Sequence, residues 1–211
     1  MDEKFQDAVV ALGALVMQYA TVHRITFLAD GVTPESDTDH TVMVGLISCA
    51  VAQQLEPRLD IGLVAQFSLV HDLVEAYAGD TNTFGGLSAG AHADKEARES
   101  AALARIQTEL TDQLPWVSET IRAYESLSTP EARFVKTMDK IMPKITRLVN
   151  KEKTGWSAED FDAHVAQQTE KMKTTYGHDQ DVAISLYDVL VRGVSSHLHS
   201  VQENTTEPEA S

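Results

Sequence analysis

Apolar residues recur at three- and four-residue intervals along nearly the whole chain, the spacing that lines one face of an α-helix. From Phe5 to about His23 the stripe is Val9, Leu12, Leu15, Val16 and Tyr19. An irregular polar stretch with Gly31 and Pro34 follows, and in it Ser36, Asp37, Thr38 and Asp39 offer N-caps for a helix from about His40 to Leu55. Asp60 caps a third helix, Ile61 to Ala78, and Gly79 stands where a helix-closing glycine belongs. Gly85, Gly86 and Gly90 make the next segment a flexible loop, suited to an active-site lid. Further helices are predicted over about Ala93–Leu110, Pro115–Ser126, Glu131–Asn150, Ser157–Tyr176 and Gln180–His199. Ser128, Thr129 and Pro130 read as a cap followed by proline at the first helical position, and Pro143 predicts a kink. No run alternates with the period of a strand. The pattern therefore predicts an all-α helical bundle of six to eight helices, one domain over residues 1–200, and a disordered polar tail at 201–211.

Composition narrows the function classes. Hydrophobic content of 43% and aromatic content of 6% are ordinary for a globular protein and low for a β-sandwich. Seventeen basic against thirty-two acidic residues leave a net charge of -15, which argues against a nucleic-acid polymer as partner. A small phosphorylated substrate stays compatible, because surface charge is screened beyond about 8 Å at physiological salt. No apolar stretch is long enough for a membrane span, and the acidic start MDEKFQDAVV lacks a basic leader region, so the expectation is a cytoplasmic protein with no membrane partner. The single cysteine, Cys49, reads as a small packing residue.

The chemistry concentrates at His71-Asp72, two polar, metal-competent side chains inside the apolar run LVAQFSLVHDLVEAYAGD. Burying an imidazole and a carboxylate there is costly unless something pairs with them. On a continuous helix, Val64, Phe67, His71 and Glu75 share one stripe with Asp72 at its edge. His40 stands in the first turn of its own helix above Val44, Ile47 and Val51, and Asp139 has Val135, Met142 and Val149 as apolar companions. Together His40, His71, Asp72 and Asp139 would offer two nitrogens and two oxygens to one divalent metal ion from facing helices. That donor set suits Mn, Co, Fe, Ni or Zn, with Mg also in range, and leaves positions open to water and substrate. Such an ion acidifies bound water and polarises a phosphoryl oxygen, which makes phosphoester hydrolysis the leading chemistry. The competing reading is a core histidine satisfied by its neighbours.

The order His40, then H-D-x-x-E-x-x-x-G-D (His71, Asp72, Glu75, Gly79, Asp80), then TPEARFVKTMDK (Thr129 to Lys140) resembles the HD-domain phosphohydrolase superfamily, and most closely its 5′-deoxynucleotidase branch. Arg24, about fifteen positions before the first histidine, belongs to the same resemblance. It implies that His40, His71, Asp72 and Asp139 ligate the metal. It implies that Glu75 and Asp80 orient or deprotonate the attacking water and protonate the leaving alkoxide, that Arg24 binds the phosphate, and that the protein forms a homodimer. A guanidinium fork matches a phosphate dianion. Lys136, one turn before Asp139, is a further candidate for substrate binding. The chain departs from the branch at Asp37-Thr38-Asp39-His40, where S-E-H is usual, and in the GGLSAG loop.

The expected activity is conversion of a deoxynucleoside 5′-monophosphate to deoxynucleoside and phosphate, with a small-molecule nucleotide as the partner. Three other readings use the same residues. A (deoxy)nucleoside triphosphate hydrolase would need more cations than Arg24 and Lys136 supply near the motif. A non-catalytic nucleotide-sensing module would need neither Glu75 nor Asp80. A di-iron oxygenase would need more histidines than His92 between the His-Asp pair and Asp139.

Overall fold

A computed structural model describes residues 2–55, 57–82, 86–110, 113–150 and 158–176, together with 188, 191–193 and 196. The described residues form eight helices: α1 (Glu3–Tyr19), α2 (Asp37–Ala52), α3 (Ile61–Val70), α4 (Glu75–Ala78), α5 (Ala89–Leu110), α6 (Pro115–Glu125), α7 (Pro130–Asn150) and α8 (Ala158–Tyr176). Two strands, β1 (His23–Phe27) and β2 (Pro34–Ser36), pair between α1 and α2. The helical expectation holds, and none of these helices is long and apolar enough to cross a membrane. The helix predicted over Gln180–His199 and the tail at 201–211 lie almost wholly outside the described residues.

The chain divides into two compact units, residues 1–25 with 34–136 and residues 26–33 with 137–211. In the first, Leu15 and Tyr19 of α1, Val70, Leu73 and Val74 around the end of α3, Ala102, Ile106 and Leu110 of α5, and Val117 and Ile121 of α6 form one apolar core. Asp60 caps α3 by accepting from the backbone N–H groups of Gly62 and Leu63, at 2.7 and 3.2 Å.

Several boundaries differ from the pattern. α1 ends at Tyr19 rather than His23, where Ala20 and Thr21 close the last turn and His23 begins a strand. Its buried face is Ala8, Leu15 and Tyr19 with Ala11 and Leu12 beside them, while Val9 and Val16 point outward. α2 begins at Asp37, three residues early, because Ser36 and Asp39 form a capping box: the Ser36 hydroxyl accepts from Asp39 N at 3.1 Å and Asp39 accepts from Ser36 N at 3.0 Å. α3 stops at Val70, so His71–Val74 is a turn rather than helix interior. α5 starts at Ala89, ahead of the predicted Ala93. Val149, placed by the pattern beside Val135 and Met142 on a buried face, is exposed.

In the second unit, the loop from Leu28 to Thr33 turns on Gly31 in the left-handed region (φ 70°), and Asp30 accepts from the N–H groups of Val32 and Thr33. Asn150 donates from Nδ2 to the Phe27 carbonyl at 2.9 Å. α7 continues through Pro143, whose missing N–H cannot donate to the carbonyl of Asp139 four residues earlier. Lys144, Arg147 and His164 are buried. Burial, with Lys140 and Arg147 adding, lowers Lys144 to about 7; burial, with Lys144 and Arg147 adding, lowers His164 to about 4.

Two outcomes follow. Ser36→Ala removes half of the capping box and costs about 1 kcal/mol of stability in denaturant titration. His164 binds a proton less readily folded (about 4) than unfolded (6.5), so the unfolded chain takes up more protons between these values and stability rises with pH across that window. His164→Gln flattens that rise, read as melting temperature against pH.

Candidate functional site

The capping box carries the first histidine. It pins the passage from β2 into α2, so that His40 falls in the opening turn with no surface exposed. The ring Nδ1 lies 2.8 Å from Oε1 of Glu35, a fully buried residue in the middle of β2. A carboxylate accepts, so Nδ1 carries the hydrogen and Nε2 bears the lone pair.

The second histidine is aimed by a break in the helix. Past Val70 the backbone tightens into i→i−3 hydrogen bonds, Leu73 N to Val70 O at 3.1 Å and Glu75 N to Asp72 O at 2.8 Å, before α4 begins. His71, at the C-cap of α3, lies 2.8 Å through Nδ1 from the Ser68 carbonyl. A carbonyl can only accept, so Nδ1 of His71 carries a hydrogen and, in the neutral ring, the lone pair is on Nε2. The two imidazole centroids are 5.4 Å apart, and Tyr124 packs edge-on to His71 at 6.3 Å. His71 Nε2 lies 3.2 Å from Oδ2 of Asp72. A proton or a metal ion would satisfy two electron-pair donors at that separation, and the set of imidazole nitrogens and carboxylate oxygens fits a borderline divalent ion.

Arg24 reaches in from β1, not from a helix end. Its Nη1 lies 3.2 Å from Asp72, 3.4 Å from Asp37 and 3.9 Å from Glu75, and its Nε lies 3.9 Å from Glu35. Crowding and burial raise the acids. Burial pushes Glu75 up to about 10, with Asp72, Asp80 and Asp37 adding and Arg24 opposing. Burial pushes Asp37 up to about 7, with Arg24 opposing and Asp72 and Asp80 adding.

Glu75 is the first residue of α4 and is buried, so it reaches the acid cluster from a new helix rather than one turn along the old one. Asp80 follows Gly79, whose φ of 74° and ψ of 149° only glycine adopts readily. The charge of Asp80 is felt by both Asp37 and Glu75. Lys136 places its Nζ 5.3 Å from the centroid of the Tyr124 ring, and its charge opposes the upward shift that burial gives Glu125. Asp139 is buried on α7, 2.9 Å from Lys140 Nζ. His40, His71 and Asp72 come together in the first unit as a His/Asp group that could bind one metal ion, each offering a ligand atom within 4.8 Å of the others; Asp139, the fourth ligand candidate, stands in the second unit.

Two residues escaped the sequence pattern. Glu35 lies in a three-residue strand too short to alternate visibly, and Asp37 reads as one helix cap among four. Their positions, five and three residues before His40, were the available signal. The proposed lid falls partly outside the described residues; within it, Thr81 accepts from Arg98 of α5 at 2.9 Å.

The chain as a whole is similar to known proteins. An HD-domain family model matches residues 16–181. The 5′-deoxynucleotidase hdd1 of Schizosaccharomyces pombe is 31% identical over 126 residues, covering 57% of this chain and 61% of that protein. The human 5′-deoxynucleotidase HDDC2 is 29% identical over 107 residues, half of each chain. The chain thus spans half to three-fifths of the curated relatives it matches. A crystal structure described as a predicted metal-dependent phosphohydrolase from Magnetospirillum magnetotacticum MS-1 superposes with a TM-score of 0.68 at 28% identity, covering 92% of this chain and 96% of that one.

The raised Glu75 fixes a sign. Folded protein holds this proton up to about 10, against 4.5 for the ordinary group, so an ionisable residue here makes metal-free stability fall as pH rises through that interval. Glu75→Gln keeps the volume and removes the penalty: in chelator the variant melts higher than the parent at pH 8, and the gain disappears near pH 4.

Proposed function

The chain belongs to the HD-domain family, and we propose that it is a metal-dependent 5′-deoxynucleotidase, converting a deoxynucleoside 5′-monophosphate to deoxynucleoside and phosphate. The substrate class comes from the names of the two relatives. The observation that carries the chemistry is the 3.2 Å approach of the His71 lone-pair nitrogen to an Asp72 oxygen, which asks for a cation.

In this reading His40, His71, Asp72 and Asp139 hold one ion, for which manganese and cobalt suit the mixed nitrogen and oxygen donors. When bound, the ion supplies Lewis acidity, making a water nucleophilic at neutral pH and offsetting charge at phosphorus. Arg24 orients the phosphate dianion through its guanidinium edge. Glu75, whose proton a bound ion would displace, would as a carboxylate take a proton from the attacking water. As the water oxygen bonds to phosphorus, the bond from phosphorus to the 5′ oxygen breaks, and the leaving alkoxide recovers a proton from the Glu75–Asp80 pair. Lys136 stands by as a second cation toward the substrate. One guanidinium already set against four carboxylates suits one phosphate better than three.

A screen of nucleoside mono-, di- and triphosphates with added manganese or cobalt tests the proposal, reading phosphate, pyrophosphate and nucleoside separately. Deoxynucleoside monophosphates are turned over, Asp72→Ala abolishes turnover, and Glu75→Ala lowers kcat at least about 100-fold with metal still bound. Pyrophosphate or triphosphate as the inorganic product overturns the monophosphatase assignment.

A further inference from the structure

Glu35 has no part in the roles assigned above, yet it joins two of them. It is fully buried in β2, its Oε1 lies 2.8 Å from His40 Nδ1 and 3.9 Å from Arg24 Nε, and its Oε2 is buried without a hydrogen-bond partner among the described residues. A buried carboxylate with one oxygen unsatisfied is costly, so its retention needs a reason. We propose that Glu35 is a positioning residue that locks His40 in the tautomer and orientation needed to ligate a metal ion. The inference rests on the metal reading of the site.

The two histidines are held differently. His71 gives its Nδ1 hydrogen to a neutral backbone carbonyl, at 2.8 Å. His40 gives its own to a carboxylate, which feeds negative charge into the ring and makes Nε2 the stronger electron donor. His40 is therefore the tighter imidazole ligand, and Glu35 is the cause.

The carboxylate is also set in place in advance. The pairing of β1 with β2, the hydrogen bond from Asp37 N to Val22 O at 3.0 Å, and the Ser36–Asp39 box fix the backbone on both sides of it. Its second neighbour, Arg24, comes from the facing strand, so the same carboxylate sets the ring that holds the ion and lies beside the guanidinium proposed for phosphate.

Glu35→Gln keeps an accepting oxygen and removes the charge; Glu35→Ala removes both. Manganese binding by the whole chain, measured by competition with a chelating dye, weakens about 10-fold in Glu35→Gln and up to about 100-fold in Glu35→Ala. In metal-free protein, long-range proton–nitrogen NMR shows the Nδ1–H form of His40 in the parent and a tautomer mixture in Glu35→Ala, with His71 unchanged. A merely structural role would disturb both rings alike. Manganese affinity within twofold of the parent in both variants, or an unaltered His40 tautomer in Glu35→Ala, overturns the inference. A parent protein that takes up no manganese overturns the metal reading instead, and the tautomer comparison still decides what Glu35 does to the ring. Should Glu35→Ala not fold, the isosteric glutamine variant carries both measurements.

Discussion

One guanidinium set against four carboxylates, in a place largely closed to water, is the constraint on which the site depends. Two unit charges about 4 Å apart interact by roughly 4 kcal/mol at the effective dielectric of a protein near its surface. Arg24 can offset one such acid well and several only partly. The remainder must be met by protons or by a further cation, and the raised Glu75 and Asp37 show the proton solution. A divalent ion would replace those protons with a charge that could also do chemistry. The features that make the cluster unfavourable without a cation thus make it suited to hold one.

The scaffold meets this constraint with interruptions. A helix of uniform pitch would put His71 and Glu75 on a single stripe; the turn at His71–Val74 instead lets α3 deliver the imidazole and α4 deliver the acid. A two-stranded hairpin brings in Arg24 and Glu35, which a bundle of helices alone would have to supply from longer side chains. The apolar core of α1, α3, α5 and α6 gives these irregular segments a rigid backing, and Tyr124 bears directly on the His71 ring.

Helices were legible wherever an apolar stripe was long, as in α5 and α7. The hairpin was not. Its strands have five and three residues, and at Pro34-Glu35-Ser36 the inward residue is an acid, so hydrophobicity carries no trace of the pairing. The stop of α3 was hidden for a related reason: the run from Val70 to Ala78 stays apolar, and a tight turn buries such residues as well as a helix does. In α1, valines at 9 and 16 suggested the wrong face, because small Ala8 and Ala11 pack inward at the same spacing. The family motif made His40, His71 and Asp72 readable as a group, and the first unit brings these three together. Glu35 and Asp37 were harder to read because they act on other side chains through tertiary geometry, and their spacing from His40 was the one trace of it.

Gly79 separates the two acids proposed for proton handling. Among the described residues nothing stands within 4 Å of where its Cβ would be, so there a larger residue would be refused by torsion and not by crowding. Any such residue would relax the backbone toward negative φ and swing Asp80 away, leaving Glu75 anchored at the head of α4. In the proposed reaction, proton delivery and proton removal would then come apart while His40, His71 and Asp72 stayed where they are. The backbone angle at Gly79 thus helps to set where Asp80 stands relative to Glu75.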